Sequence, residues 1–315
     1  MSYTGPGFDP PQPRRSRRGP LTVALVALVP GALLGWAVYA AVGGSGGDEG
    51  AGSAAASTSP SASASASSRT SSPAPSASSE DEKPSASAAA GGPLKGKVVV
   101  IDPGHNPENF KHTAEINRQV DIGTNRKECD TTGTSTDDGY AEADFTLDVA
   151  HRMRALLEKQ GATVKLTQDG DRPFGPCVDE RARIGNRAKA DAVVSIHADG
   201  SGTGNRGFHV ILPGAVRAGA ADTRAIVEPS GDLGTRIAGN FVRVTGSAPS
   251  NYVGGGTGLV TRKDLGGLNL STVPKVFIEC GNMRDSKDAA LLTSGAWRQK
   301  AAQGISDGIV SFLRG

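Results

Sequence analysis

Two apolar runs that each end in a histidine constrain this chain most. Val98-Val99-Val100-Ile101-Asp102-Pro103-Gly104-His105 is one, and Ala192-Val193-Val194-Ser195-Ile196-His197-Ala198-Asp199 is the other. Short, nearly continuous runs of Val and Ile fit strands buried on both faces, as in a parallel sheet. In open α/β sheets, ligands and metals gather in the crevice beyond the C-terminal strand edges. Both imidazoles are therefore expected at one such edge, as candidate metal ligands. Glu142 and Glu279 are the acids placed to join them. The first opens a helical pattern, and the second ends the apolar run Val276-Phe277-Ile278.

The rest of the C-terminal part supports an α/β fold: a single domain with a central, mostly parallel or mixed sheet flanked by helices. Apolar positions Phe145, Leu147, Val149, Met153, Leu156 and Leu157 predict a helix from about 142 to 160, with Gly161 as its C-cap. Further helices are expected at 179–189, 233–244 and 297–313. Further strands are expected at 163–167, 207–212 and 276–280. The stretch 106–141 is polar, without clear periodicity, and reads as a long loop. Loops of that length tend to be functional, so this one is expected to border or cover the cleft. Gly254-Gly255-Gly256 lacks the Lys-Ser/Thr of a phosphate loop and reads as a flexible connection.

The first 93 residues have a different character. A basic head at 1–19 carries Arg14, Arg15, Arg17 and Arg18, with Asp9 as its only acid. An uncharged apolar run follows at 20–42, and a bilayer core needs roughly 20 such residues. The arginines before it orient the N-terminus toward the cytoplasm. The adopted reading is a transmembrane signal anchor. The alternative is a cleaved signal peptide, with Ala40 and Ala41 near the cut. Residues 43–93 form a Ser/Ala/Pro/Gly tract that buries too little apolar surface to fold, so they read as a disordered tether. Residues 94–315 form the folded domain. The net charge of +2 comes from the basic head, so charge lends no support to nucleic-acid binding.

Export beyond the membrane would permit disulfides. Of the three cysteines, Cys129 and Cys177 lie in polar, Gly-rich stretches and favour pairing with each other. Cys280 follows Glu279 in a strand and should point to the opposite, buried face.

The chemistry open to these residues is that of a catalytic zinc site. Three protein ligands from His and carboxylate side chains, with one position left for water, suit that role. His105, Glu142 and His197 form such a set. Asp102 sits in the same edge turn as His105 and could orient a ligand imidazole from behind. A carboxylate at Glu279, costly in an apolar strand unless engaged, could move a proton. Each histidine alone is more often an ordinary strand-end residue. Asp137, Asp138 and Asp144 compete with Glu142, and His112, His151 and His209 are read as structural.

Taken together, Asp102-Pro103-Gly104-His105, Glu142 at a helix start, Ser195-Ile196-His197-Ala198 and Ile278-Glu279-Cys280-Gly281 resemble the zinc-dependent N-acetylmuramoyl-L-alanine amidases of the amidase type 3 family. The resemblance covers essentially all of 97–314. It implies one zinc ion on His105, Glu142 and His197, with Glu279 as the catalytic glutamate, a general base and then acid. The reaction it implies is hydrolysis of the amide between N-acetylmuramic acid and the L-alanine of the peptidoglycan stem peptide. Thr134–Tyr140 and Gly175–Arg181 resemble the branch that is a bare catalytic domain with a disulfide between these loops, which strengthens the Cys129–Cys177 pairing. Asp199 departs from the family, standing where many members have Asn, and Gln168 stands where Arg is usual. The expected partners are peptidoglycan and the cytoplasmic membrane, with no nucleic acid and a monomeric catalytic domain. Two rivals remain: a zinc peptidase cutting within the stem peptide, and a non-catalytic peptidoglycan-binding or regulatory domain.

Overall fold

The computed structural model describes residues 91–315. The basic head, the run 20–42 and all but the end of the tract 43–93 lie outside the described residues. No helix among the described residues is long and apolar enough to cross a membrane. In chain order the elements are β1 (Val98–Pro103), α1 (Thr113–Ile116), β2 (Gln119–Asp121), β3 (Arg126–Glu128), α2 (Glu142–Lys159), β4 (Thr163–Leu166), α3 (Val178–Arg187), β5 (Ala192–Asp199), β6 (His209–Pro213), β7 (Arg217–Ala218), β8 (Ala221–Asp222), α4 (Val227–Thr245), β9 (Leu259–Arg262), α5 (Gly266–Asn269), β10 (Lys275–Asn282), α6 (Ser286–Leu292) and α7 (Gly295–Arg314).

Six strands form the central sheet in the order β4-β1-β5-β10-β6-β9. The first four are mutually parallel. β6 runs antiparallel to β10, and β9 is parallel to β6. The sheet is therefore mixed, and the C-terminal ends of β1, β5 and β10 lie together.

Side chains alternate along each strand and so sort between two faces. Val99 and Ile101, Val194 and Ile196, and Val276, Ile278 and Cys280 pack against α2, α4 and α7 in one large core. α2 meets this face through Phe145, Val149, Met153 and Leu157, which recur at i, i+4 spacing. α4 and α7 cross closely because Gly308 offers no side chain: a Cβ there would lie 2.5 Å from the Cα of Ile237. The opposite face is apolar near the N-terminal end, where Val100 and Val193 pack with Ile184 of α3. Toward the C-terminal edge it becomes polar, with Asp102, Ser195, His197 and Glu279 at successive alternate positions.

Several boundaries differ from the sequence expectation. The stretch 106–141 contains a 3-10 turn at Asn109–Lys111, the short α1, and a β2–β3 hairpin. Its elements are too short to establish a periodic pattern. α4 begins at Val227, six residues before the expected start, because Pro229 sits in its first turn, where a missing N–H costs nothing. β9 and α6 escaped detection, since four- and seven-residue elements carry little signal. Gly254–Gly256 forms a single 3-10 turn. Cys129 and Cys177 are joined in a disulfide, and Cys280 is a buried free thiol on the core face, as its position after Glu279 implied.

Candidate metal centre

His105 lies two residues beyond β1 with φ of 60°, in the left-handed region where non-glycine residues are uncommon. This turn folds its imidazole back over the sheet edge. The Gly104 amide donates to the Ile196 carbonyl at 2.9 Å, and Thr146 Oγ1 of α2 donates to the Gly104 carbonyl at 2.7 Å. The turn is thus tied to both β5 and α2. Gly104 is required there, because a Cβ would lie 2.4 Å from the His197 ring.

The three expected ligands converge. Nε2 of His105 is 3.1 Å and Nδ1 of His197 is 2.9 Å from the same oxygen, Oε1 of Glu142. One donor atom from each residue lies within 4.8 Å of the others. Glu142 occupies the first turn of α2. Its Oε2 accepts from the Thr134 amide at 2.9 Å, and its Oε1 accepts from the Ala198 amide at 3.2 Å. His197 is held by Phe277, whose ring stacks on it at 5.3 Å between centroids and 13° between planes. Asp137 and Asp138 are exposed and outside this group, with Asp137 paired to Arg284, and Asp144 is exposed on α2.

The electrostatics suit a cation. Burial lowers the His105 imidazole, but Glu142 and Asp130 outweigh it and push its pKa up to about 10. Burial raises the Glu142 carboxyl, yet His105 and His197 hold it well below the usual range. The two buried carboxylates beside these rings therefore call for positive charge. Nitrogen and carboxylate oxygen donors with one free flank match a catalytic zinc site. The second nitrogen of His105 also has a suitable partner, with Nδ1 lying 3.1 Å from the Thr131 carbonyl.

Glu279 of β10 is paired in register with His197 of β5 on one side and with His209 of β6 on the other. Its Oε2 is buried and has no hydrogen-bond partner. Burial, then the nearby Glu142 and Asp199, push its carboxyl well above the usual range. A cavity of about 260 Å³ is lined by the three converging residues, Glu279, Asp199 and Arg262.

Asp102 is not placed as expected. It makes no hydrogen bond to either imidazole. Its carboxylate accepts from Arg181 Nη1 at 2.9 Å, Lys275 Nζ at 2.9 Å and Thr167 Oγ1 at 2.7 Å. The side chain behind His105 is Asp130, 3.5 Å from Nδ1, and Arg181 binds Asp130 at 2.9 Å and the His105 carbonyl at 2.8 Å. Arg181 thus links Asp102 to Asp130, which in turn faces the imidazole. Sequence reasoning missed Asp130, Lys275 and Phe277. A lysine opening an apolar strand was the one available signal. His209, read as structural, bonds Ser250 Oγ through Nδ1 at 2.8 Å.

A family profile described as N-acetylmuramoyl-L-alanine amidase matches residues 99–311, a range that includes His105, Glu142, His197 and Glu279. The chain belongs to the N-acetylmuramoyl-L-alanine amidase family. It is 40% identical over 221 residues to an N-acetylmuramoyl-L-alanine amidase of Mycobacterium tuberculosis, covering 70% of this chain and 88% of that protein. Among solved structures, the amidase Ami1 of Mycobacterium smegmatis superposes with a TM-score of 0.64 at 41% identity, covering 70% of this chain and 98% of that one. The apo form of Ami1 from Mycobacterium abscessus gives 0.64 at 40% identity, with 70% and 100% coverage. This amidase is thus a hydrolase of peptidoglycan, acting on the amide that joins N-acetylmuramic acid to the stem peptide.

Proposed function

We propose that this amidase works with one zinc ion held by His105, Glu142 and His197, and that Glu279 carries the proton transfers. The observation that supports this most is the convergence of three donor atoms within 4.8 Å beside a buried carboxylate oxygen with no partner. Zinc bound there would acidify water and polarise the amide carbonyl.

Every other part of the reaction falls to the chain's own side chains. Glu279 Oε2 takes the proton of the attacking water and returns it to the departing alanine nitrogen, a general base that becomes a general acid. Phe277 and Gly104 fix the His197 ring from either side. Thr134 and Ala198 hold the Glu142 carboxylate through their amides. Asp130 and the Thr131 carbonyl fix the His105 ring. The rival peptidase and binding-domain readings find no separate support in the cavity.

The work is placed outside the cytoplasmic membrane. The peptidoglycan substrate lies there, and the Cys129–Cys177 bridge needs an oxidising compartment. The uncharged run 20–42 behind four arginines supports a signal anchor, with 43–93 as the tether.

The test is digestion of insoluble peptidoglycan by the purified protein, with mass spectrometry of the released material. Stem peptides beginning with L-alanine, lost on chelation and restored by zinc, are expected. Products cut within the stem peptide, or activity that survives complete metal removal, would overturn the proposal.

A further inference from the structure

The catalytic cavity shares lining residues with two neighbouring cavities. Thr134 lines both it and a groove of about 430 Å³ that Gly133 also borders. Gly133 forms the partition: a Cβ there would lie 2.8 Å from the His105 ring and 2.9 Å from Glu142 Oε2. The His105, His197 and Phe277 rings line both the catalytic cavity and a cavity of about 230 Å³ between the β2–β3 hairpin and α5.

The two flanks differ in chemistry. The larger groove has no charged side chain in its lining. Its walls carry the hydroxyls of Thr132, Thr134 and Ser135, and its floor ends at Phe110. Phe110 is 61% exposed, the most exposed large apolar side chain among the described residues. It sits in the 3-10 turn Asn109–Lys111. Lys111 Nζ lies over its ring at 5.3 Å, which leaves most of the ring free. The smaller cavity is lined by charged groups, Lys127 and Glu128 among them, and by the apolar walls of Val178 and Leu265.

The bond cut by this enzyme joins two chemically different halves. One half is a neutral, hydroxyl-rich sugar, and the other is a peptide bearing carboxylates and methyl groups. We propose that the glycan strand occupies the Phe110 groove, with one pyranose ring lying on the Phe110 face. The stem peptide then runs out through the cavity beneath the β2–β3 hairpin. The electron-rich face of an aromatic ring attracts the positively polarised C–H groups of a pyranose face. The groove's volume lies within the roughly 300–1,000 Å³ typical of small-molecule sites. This assignment rests on the amidase reading and adds to it a direction for the substrate and a sugar-binding residue.

The experiment compares two substrates cut at the same amide by the full-length, zinc-loaded protein. One is a soluble disaccharide-peptide. The other is the same peptide carrying only a lactyl group in place of the sugars. Phe110→Ala is expected to raise KM about tenfold for the first substrate, with kcat within twofold, and to leave both constants unchanged for the second. Phe110→Trp should restore the KM. Equal losses on both substrates, or no loss on either, would overturn the assignment while wild-type cleavage still upholds the amidase reading. A second measurement does not need catalysis. The added Phe110→Trp indole should change its fluorescence when the peptide-free disaccharide is titrated in, against wild-type protein as the background. No change up to millimolar sugar overturns the proposal.

Discussion

Replacing Lys275 with Met should destabilise the protein far more than a surface lysine change, by an amount that the buried charge cluster sets. Lys275 and Asp102 are 1% and 0% exposed, and Nζ lies 2.9 Å from Oδ2. Arg181 and Asp130 complete the cluster, so two cations balance two carboxylates. Burial raises the Asp102 carboxyl, but Lys275 and Arg181 hold it well below the ordinary range. Removing one partner of a buried pair costs about 3–5 kcal/mol, because the remaining charge is stranded. Asp102 keeps Arg181 and Thr167, which places the expected loss near 3 kcal/mol. For a domain of this size about 2–4 °C of Tm accompanies each kcal/mol, so melting should fall by roughly 6–12 °C. The double variant Lys275→Met/Asp102→Asn restores the charge balance. It should melt above the Lys275→Met single variant, with a coupling of about 1–3 kcal/mol in urea denaturation. Additive single effects, or a Tm shift below about 2 °C for Lys275→Met, would refute the reasoning. The acid limb offers a second check. A carboxyl held below its unfolded pKa stabilises the fold above about pH 4 and loses that contribution as pH falls through its folded value. The urea midpoint should therefore hold between pH 7 and 5 and drop below pH 4, and this drop should shrink in Asp102→Asn.

Other outcomes follow from the same geometry. Glu279→Gln should lower kcat by about 10²–10⁴ and leave Tm unchanged or higher, since its buried oxygen has no partner to lose; a folded variant with wild-type turnover would remove Glu279 from the reaction. Gly104→Ala drives a methyl into the His197 ring, which Phe277 holds in place. Zinc affinity measured by competition with a chelator should fall about 10–100-fold, and an unchanged affinity would mean the ring can yield. Cys129→Ser/Cys177→Ser opens a link spanning 48 residues. The chain-entropy relation puts its loss near 4 kcal/mol, readable in urea, and an unchanged midpoint would show that the two loops hold together without it.

Much of the fold and site was legible because it depends on local pattern. Val98–Ile101 and Ala192–Ile196 are short apolar runs rich in Val and Ile that suit a buried strand, and the rule about strand edges then places both histidines without coordinates. Glu142 was marked by the start of a strong 3.6-residue period, and Cys280 by alternation after Glu279. Tertiary structure alone decided what stands behind these residues. Asp102 adjoins His105 in the chain, yet strand alternation turns its carboxylate toward the second face, where Arg181 and Lys275 capture it across 79 and 173 residues. The place beside the imidazole passes to Asp130, which shares no periodic pattern with β1 and arrives through a loop bridged to α3 by the disulfide. The stacking of Phe277 on His197 and the groove ending at Phe110 likewise depend on contacts between distant segments. Local periodicity records which face of its own element a residue occupies. Which foreign side chain meets that face is decided only when the sheet order is set.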